Sequence, residues 1–194
     1  MKSICVFCGS VIGDDPAYVE AAAQFGRALA ARRLRLIYGG GSVGLMGVLA
    51  DAALGAGGEV VGVIPRALWD REVGHRGLTD CRIVDTMHER KALLASMSDA
   101  FVALPGGVGT LDELFETWTG AQLGIHAKPF GLLNVRGYYD LLMRFLDDVT
   151  AHGFVQPEYR VLLMADDKPE ALLDRLAKFR PVHAARWTLA KQST

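Results

Sequence analysis

Short runs of uninterrupted apolar residues alternate with amphipathic stretches along almost the whole chain. The runs that predict strands cover residues 4–8, 34–38, 60–64, 82–84, 100–104, 130–135 and 161–164. Between them, apolar side chains recur at helical spacing. This spacing predicts helices over 16–33, 45–54, 87–97, 111–123 and 138–149, and one more after 167. Residues 66–80 are mixed and polar, with no clear period.

Strands that are apolar at every position, separated by amphipathic helices, are typical of a parallel sheet covered on both faces. We therefore predict an α/β fold: one doubly wound, Rossmann-like domain over residues 1–180, with about seven mostly parallel strands. A frayed tail over residues 181–194 is expected to follow. In such sheets ligands bind beyond the carboxyl ends of the strands, which directs attention to loops 9–14, 39–47, 65–76 and 105–113.

Composition excludes several classes of protein. The chain has 194 residues, 51% of them apolar, and a formal net charge of −1, which is too apolar and too neutral for a disordered chain. It also lacks the excess of basic residues that nucleic-acid binding requires. No apolar run approaches the roughly 20 residues of a membrane span, and the N-terminus resembles a strand more than a secretory signal. We expect a cytoplasmic protein that binds neither membrane nor nucleic acid.

The cysteines and histidines do not predict a metal or redox site. Cys5 and Cys8 form a C-x-x-C, but residues three apart on a strand face opposite sides, whereas redox pairs lie at a helix start. The five histidines form no H-x-x-x-H or H-x-H pair. We therefore expect reduced thiols, no metal and no cofactor.

A first glycine-rich loop follows the second predicted strand. Residues Gly39 to Gly44 match G-x-G-x-x-G, but the candidate ribose acid, Glu59, lies at the start of the next strand and not at its end. These glycines suit close packing of a helix against the sheet as well as contact with a nucleotide. The sequence leaves both interpretations open.

A second loop, Pro105-Gly106-Gly107-Val108-Gly109-Thr110, predicts an anion site. Its three glycines lie between a buried strand and a helix start, so backbone N–H groups can face a cavity. Thr110 is expected to cap the helix and to donate to an oxyanion. No Gly-Lys-[Ser/Thr] follows, which favours a monophosphate over a triphosphate.

Charged residues flank this loop. Asp112, Glu113 and Glu116 lie in the first turns of the following helix, and Arg90 and Lys91 lie on the preceding one. A carboxylate beside a bound phosphate is electrostatically costly unless a cation is near, and the basic pair can supply one. The same residues also suit a helix N-terminus and a solvated helix face.

Three motifs taken together resemble the LOG (Lonely Guy) family. They are Gly39-Gly40-Gly41 with Gly44-Leu45-Met46-Gly47, then Met87-His88-Glu89-Arg90-Lys91, and Pro105 to Glu113. The resemblance continues through Ala121–His126 and Gly131–Val135 and covers about residues 3 to 155. Members of this family are cytokinin riboside 5′-monophosphate phosphoribohydrolases, long mislabelled as lysine decarboxylases. The resemblance implies hydrolysis of the N-glycosidic bond of a nucleoside 5′-monophosphate, which releases the base and ribose 5-phosphate.

The resemblance also implies the site residues. Arg90 and Glu113 would be the catalytic pair. The substrate-binding set would be Ser10, Gly40, Gly41, Glu72, Arg90, Lys91, Gly106, Gly107, Val108, Gly109, Thr110, Leu111, Asp112, Glu113 and Thr119. The family is typically homodimeric, with sites near the interface. This chain departs from the family at Gly120, where a tryptophan is common, so a reshaped base pocket is expected.

Three other functions fit the sequence less well. A pyridoxal-dependent decarboxylase needs a Schiff-base lysine beside the cofactor phosphate, and only Lys91 is near a candidate loop. An NAD-dependent dehydrogenase is disfavoured by the position of Glu59. A nucleotide-binding module without catalytic activity is disfavoured by the presence of both Arg90 and Glu113.

Overall fold

The computed structural model describes residues 1–71 and 74–180, so the predicted tail 181–194 lies outside the described residues. Within them, seven strands form one parallel sheet: β1 Ser3–Phe7, β2 Arg35–Tyr38, β3 Val60–Pro65, β4 Asp80–Val84, β5 Ala100–Ala103, β6 Phe130–Leu133 and β7 Leu163–Asp166. The helices are α1 Pro16–Ala31, α2 Gly44–Gly55, α3 Arg66–Trp69, α4 Met87–Ser96, α5 Val108–Gln122, α6 Asp140–Ala151, α7 Pro157–Arg160 and α8 Pro169–Lys178. The predicted doubly wound α/β fold is confirmed.

The strand order is β4-β3-β2-β1-β5-β6-β7, so the chain builds the sheet outward from β1 in one direction and then in the other. Ile4 of β1 pairs with Leu36 of β2 on one side and with Ala100 of β5 on the other. The order therefore reverses between β1 and β5. In open parallel sheets, the crevice above such a reversal is where ligands bind.

Each face of the sheet packs against its own set of helices. On one face, residues of α1, α2 and α8 form a core with alternate residues of the strands. On the other, α4, α5, α6 and α7 cover the remaining strand residues. Cys5 and Cys8 lie in different cores, as strand alternation requires, and both are buried free thiols.

The structure adds short elements that the hydrophobic pattern did not predict. These are the single-turn helices α3 and α7 and a 3-10 turn, Val135–Gly137, which interrupts the predicted strand 130–135. One turn is too short for apolar periodicity to be detected. Asn134 ends β6 because its side-chain oxygen accepts a hydrogen bond from the Tyr139 backbone N–H, at 2.7 Å, and so stabilises a turn.

Helix starts follow local capping rules. Asp15 accepts a hydrogen bond from the Ala17 N–H, and Pro16 occupies the first helical position of α1. At α4, Thr86 and Glu89 form a reciprocal capping box.

In the part of the chain that the structure describes, no helix is both long enough and apolar enough to span a membrane.

Candidate active site

The glycine loops predicted from the sequence meet above the reversal of strand order. The Gly9 N–H donates to the Pro105 carbonyl at 3.0 Å, and the Leu45 N–H donates to the Gly9 carbonyl at 3.0 Å. Gly44 has a φ of +58°, and a Cβ there would lie 2.2 Å from the Ser10 carbonyl carbon. Only glycine allows this approach. Gly44 therefore has a structural role, and the loops containing Ser10, Gly40 and Gly106 lie side by side.

Arg90 and Glu113 form a buried ion pair at this crevice. Arg90 is 8% exposed, and its Nη1 donates to Glu113 Oε1. Its Nε donates to the carbonyl of Val63, within β3, at 3.1 Å. A Cβ on Gly39 would lie 2.2 Å from Arg90 Nη2, so the first glycine of the β2–α2 loop makes room for the guanidinium. The alternative that Arg90 lies on a solvated helix face is therefore wrong. Its guanidinium instead fixes the position of the Glu113 carboxylate.

The predicted anion site, residues Pro105 to Thr110 and called the anion loop below, leads directly into α5. The expectation that Thr110 caps this helix is wrong. Gly107 occupies the N-cap, the helix begins at Val108, and Thr110 lies in the first turn with only 3% of its surface exposed. Because the backbone N–H groups at the start of a helix have no intrahelical acceptors, the loop presents donors at the positive end of the helix dipole. Glu113 follows less than two turns later.

Lys91 joins α4 to α5. Its Nζ contacts Asp112 Oδ2 at 2.7 Å and Glu116 Oε2 at 2.5 Å. These two hydrogen bonds raise the pKa of Lys91. A lysine that stays protonated is a poor nucleophile, so this environment does not suit a Schiff base. A role for Lys91 and Asp112 in substrate binding remains a prediction.

A cavity of about 200 Å³ adjoins Glu113 between α4 and α5. Its walls are largely apolar and include Phe7, Thr117, Gly120 and His126. Burial, with a smaller contribution from the charge of Lys128, lowers the pKa of His126. This shift favours the neutral ring, while Lys91, Glu113 and Glu116 contribute charged groups to the same wall. Gly120, the departure noted in the sequence, forms part of its wall.

The structure does not bring all predicted residues together. Glu72 lies outside the described residues. Thr119 is exposed on α5, whereas its neighbours Thr117 and Gly120 line the cavity. Gly40 and Gly41 lie in the β2–α2 loop, where their carbonyls accept hydrogen bonds from the His75 N–H and the Tyr38 hydroxyl.

Sequence reasoning missed two tyrosines that contact the anion loop. The Tyr138 hydroxyl donates to the Gly106 carbonyl, and the Tyr139 hydroxyl donates to the Leu104 carbonyl. The contacts span more than thirty residues of sequence, so no local signal could have revealed them.

Over residues 1–71 and 74–180, no group of three or more His, Cys, Asp or Glu side chains is arranged to hold a metal ion.

The chain resembles known proteins both in sequence and in fold. A family model described as "Possible lysine decarboxylase" matches residues 46–176. The cytokinin riboside 5′-monophosphate phosphoribohydrolase LOG7 of Arabidopsis thaliana is 49% identical over 180 residues, covering 93% of this chain and 83% of the relative. A second phosphoribohydrolase of Arabidopsis thaliana, LOG1, is 47% identical over 182 residues, covering 94% of this chain and 85% of the relative.

Among solved structures, the molybdenum cofactor carrier protein of Chlamydomonas reinhardtii shares the fold. Its TM-score is 0.69 at 19% identity, covering 92% of this chain and 99% of the carrier. That identity is too low to indicate more than a common architecture. The matches to the family model and to the plant enzymes extend over most of the chain and include Arg90, Glu113 and the anion loop. The chain belongs to the LOG family.

Proposed function

We propose that this protein is a phosphoribohydrolase that hydrolyses the N-glycosidic bond of a nucleoside 5′-monophosphate. Candidate substrates are cytokinin riboside 5′-monophosphates and AMP, and the products are the free base and ribose 5-phosphate. The observation that carries the proposal is the buried ion pair between Arg90 and Glu113. Glu113 lies on α5, less than two helical turns after the backbone amides of the anion loop. The activity named for the similar plant enzymes supports it.

The reaction follows from the chemistry of the two groups. As the C1′–N bond breaks, its electron pair leaves with the base and positive charge develops on the ribose ring. A carboxylate beside that carbon stabilises the charge and can accept a proton from the attacking water. The oxygen of water bonds to C1′, and its proton reaches the departing base. Glu113 is assigned this role, and Arg90 holds its carboxylate in position.

The anion loop supplies binding energy away from the bond that breaks. A phosphate at the N-terminus of α5 accepts hydrogen bonds from backbone N–H groups and interacts favourably with the helix dipole. This energy can be used to place the ribose over Glu113. We therefore expect activity on monophosphates and little activity on nucleosides or on triphosphates.

The base is assigned to the cavity beside Glu113. The cavity adjoins the catalytic carboxylate, and its walls are apolar over most of their surface. Gly120 lets the His126 ring approach this wall closely, since a Cβ at position 120 would lie 3.3 Å from His126 Nε2. The cavity therefore suits a base that carries an apolar substituent as well as a plain purine.

One assay tests the proposed activity. The protein is incubated with AMP and, separately, with isopentenyladenine riboside 5′-monophosphate, and free base is measured by chromatography. Glu113→Gln keeps the size of the side chain and removes its charge, so we expect kcat to fall about 10²–10³-fold. The control is Glu20→Gln, which changes an exposed glutamate on α1 and should leave kcat unchanged.

The outcomes separate the alternatives. Release of base that depends on Glu113 supports the hydrolase. Tight binding of AMP without release of base would instead favour a nucleotide-binding module. Release of base from adenosine as fast as from AMP would contradict the phosphate anchor, even if Glu113 proved essential.

We also propose that the protein is a cytoplasmic homodimer. The thiols of Cys5, Cys8 and Cys81 are free, which suits a reducing compartment. Leu123 and Ile125, just after the end of α5, are exposed apolar side chains. Thr119 lies four residues before Leu123 and therefore on the same side of the helix. A partner that covers Leu123 would bring the exposed Thr119 into the interface, near the site.

A further inference from the structure

Two consecutive tyrosines donate hydrogen bonds to the anion loop and to the residue just before it. The Tyr139 hydroxyl donates to the carbonyl of Leu104 at 2.6 Å, and the Tyr138 hydroxyl donates to the carbonyl of Gly106 at 2.7 Å. Tyr139 is 1% exposed, whereas Tyr138 is 41% exposed. The two phenols therefore make similar bonds to peptides two residues apart, one just before the loop and one within it, but in different surroundings.

The turn before α6 places both tyrosines. Asn134 Oδ1 accepts from the Tyr139 backbone N–H at 2.7 Å, and Asn134 Nδ2 donates to Asp140 Oδ1 at 2.7 Å. The Tyr138 ring packs edge-on against Tyr18, with centroids 5.7 Å apart, and against Tyr139, at 5.0 Å. Packing and hydrogen bonds thus fix the direction in which the Tyr138 hydroxyl points.

Peptide planarity transmits this constraint to the next residue. In a trans peptide the C=O and the N–H point in opposite directions, so a carbonyl held in place also orients the N–H of the following residue. The bond from Tyr138 to the Gly106 carbonyl therefore directs the Gly107 N–H away from Tyr138. Gly107 is the N-cap of α5. The Leu104 carbonyl belongs to a peptide whose nitrogen is that of Pro105, which has no hydrogen to direct.

We propose that Tyr138 is a positioning residue for the phosphate of the nucleotide: its hydroxyl orients the Gly106–Gly107 peptide so that the Gly107 N–H faces the phosphate. This inference rests on the proposed function, because it assigns a phosphate to the loop. Tyr139 anchors the same loop and contributes to stability, but it orients no amide. Loss of the Tyr138 hydroxyl should therefore affect phosphate binding, and loss of the Tyr139 hydroxyl should affect stability.

A matched pair of variants tests the assignment. Tyr138→Phe and Tyr139→Phe each remove one hydroxyl and keep the ring. For Tyr138→Phe we expect KM for AMP to rise about 5-fold, the effect of losing one hydrogen bond, with kcat within about 2-fold of the wild type. Its thermal stability should change little, because water can reach the exposed Gly106 carbonyl. For Tyr139→Phe we expect a lower melting temperature, because a buried carbonyl loses its donor, with an unchanged KM.

Calorimetric binding of AMP and of adenosine, measured in proteins that also carry Glu113→Gln so that AMP is not consumed, makes the test independent of turnover. Tyr138→Phe should lower the affinity for AMP about 5-fold and leave the affinity for adenosine unchanged. Equal KM and equal affinity for AMP in Tyr138→Phe and the wild type would overturn the inference, as would an equal loss of AMP affinity in Tyr139→Phe. If the wild type binds AMP without hydrolysing it, the proposed reaction fails while the affinities still decide the role of Tyr138. A wild type that binds no AMP overturns both.

Discussion

At Arg90, one side chain links three parts of the site. Its guanidinium bonds to the Val63 carbonyl and to Glu113, and it packs against the backbone of Gly39. Both members of the ion pair are largely buried, with side-chain exposures of 9% for Arg90 and 13% for Glu113. In such a pair the cost of desolvation is offset by the partner charge, so removal of one member leaves the other uncompensated.

This burial predicts a specific pattern of stabilities. Arg90→Met should lower the free energy of unfolding by about 3 kcal/mol, because it leaves the Glu113 carboxylate without its cation. Adding Glu113→Leu to that variant should recover most of the loss, since no buried charge remains. Urea unfolding of the wild type, both single variants and the double variant gives the coupling energy. Losses that simply add would show that the two groups are not energetically coupled.

At the level of elements, α4 delivers Arg90 and Lys91 to the site. Its start is set by the capping box, in which Thr86 Oγ1 accepts from the Glu89 N–H at 3.1 Å and Glu89 Oε2 accepts from the Thr86 N–H at 3.3 Å. The Arg90 N–H then donates to the Thr86 carbonyl at 3.1 Å. Arg90 therefore lies one turn after the cap, close enough to the start of α4 for fraying of the helix end to displace it.

Removing the cap should affect both folding and activity. Thr86→Ala is expected to lower the free energy of unfolding by about 1 kcal/mol, and kcat should fall because fraying loosens Arg90. Thr86→Ser keeps the accepting oxygen and is the control. Chemical denaturation and base-release kinetics measure the two effects. A Thr86→Ala protein as stable and active as Thr86→Ser would show that the capping box does not support the site.

At the level of the whole molecule, the reversal of strand order assembles the site from loops far apart in sequence. The β1–α1 and β5–α5 loops meet through the bond from the Gly9 N–H to the Pro105 carbonyl. The proposed dimer would bury apolar surface near the site, because Ile125, just after the end of α5, is 74% exposed. Burial of such side chains against a second copy is favourable at about 25 cal/mol per Å².

Light scattering coupled to size-exclusion chromatography measures the assembly. From a chain mass of 21.0 kDa, the homodimer should have twice that mass, and Ile125→Asp should shift it to 21.0 kDa by placing a charge in the apolar contact. Leu141→Asp on α6 is the matched control, because Leu141 is 77% exposed but lies outside the proposed interface. A wild type that stays monomeric at micromolar concentration would remove the dimer from the proposal.

The sequence by itself determined the sheet, its helices and the chemical types at the site. Apolar runs and helical spacing depend on neighbours along the chain, so β1 to β7 and the long helices could be predicted to within a few residues. The family motifs could be identified for the same reason, since Pro105 to Glu113 and Met87 to Lys91 are each contiguous.

Only the tertiary structure decided how those residues meet. The Arg90–Glu113 pair, the contact of Gly39 with the guanidinium and the bond from Tyr138 to Gly106 all join residues more than twenty positions apart. Such contacts depend on the order of strands and on the close packing of helices, which local periodicity does not encode. The same reason explains the error at Thr110, whose side chain is buried because α5 begins three residues earlier than a threonine cap at 110 requires.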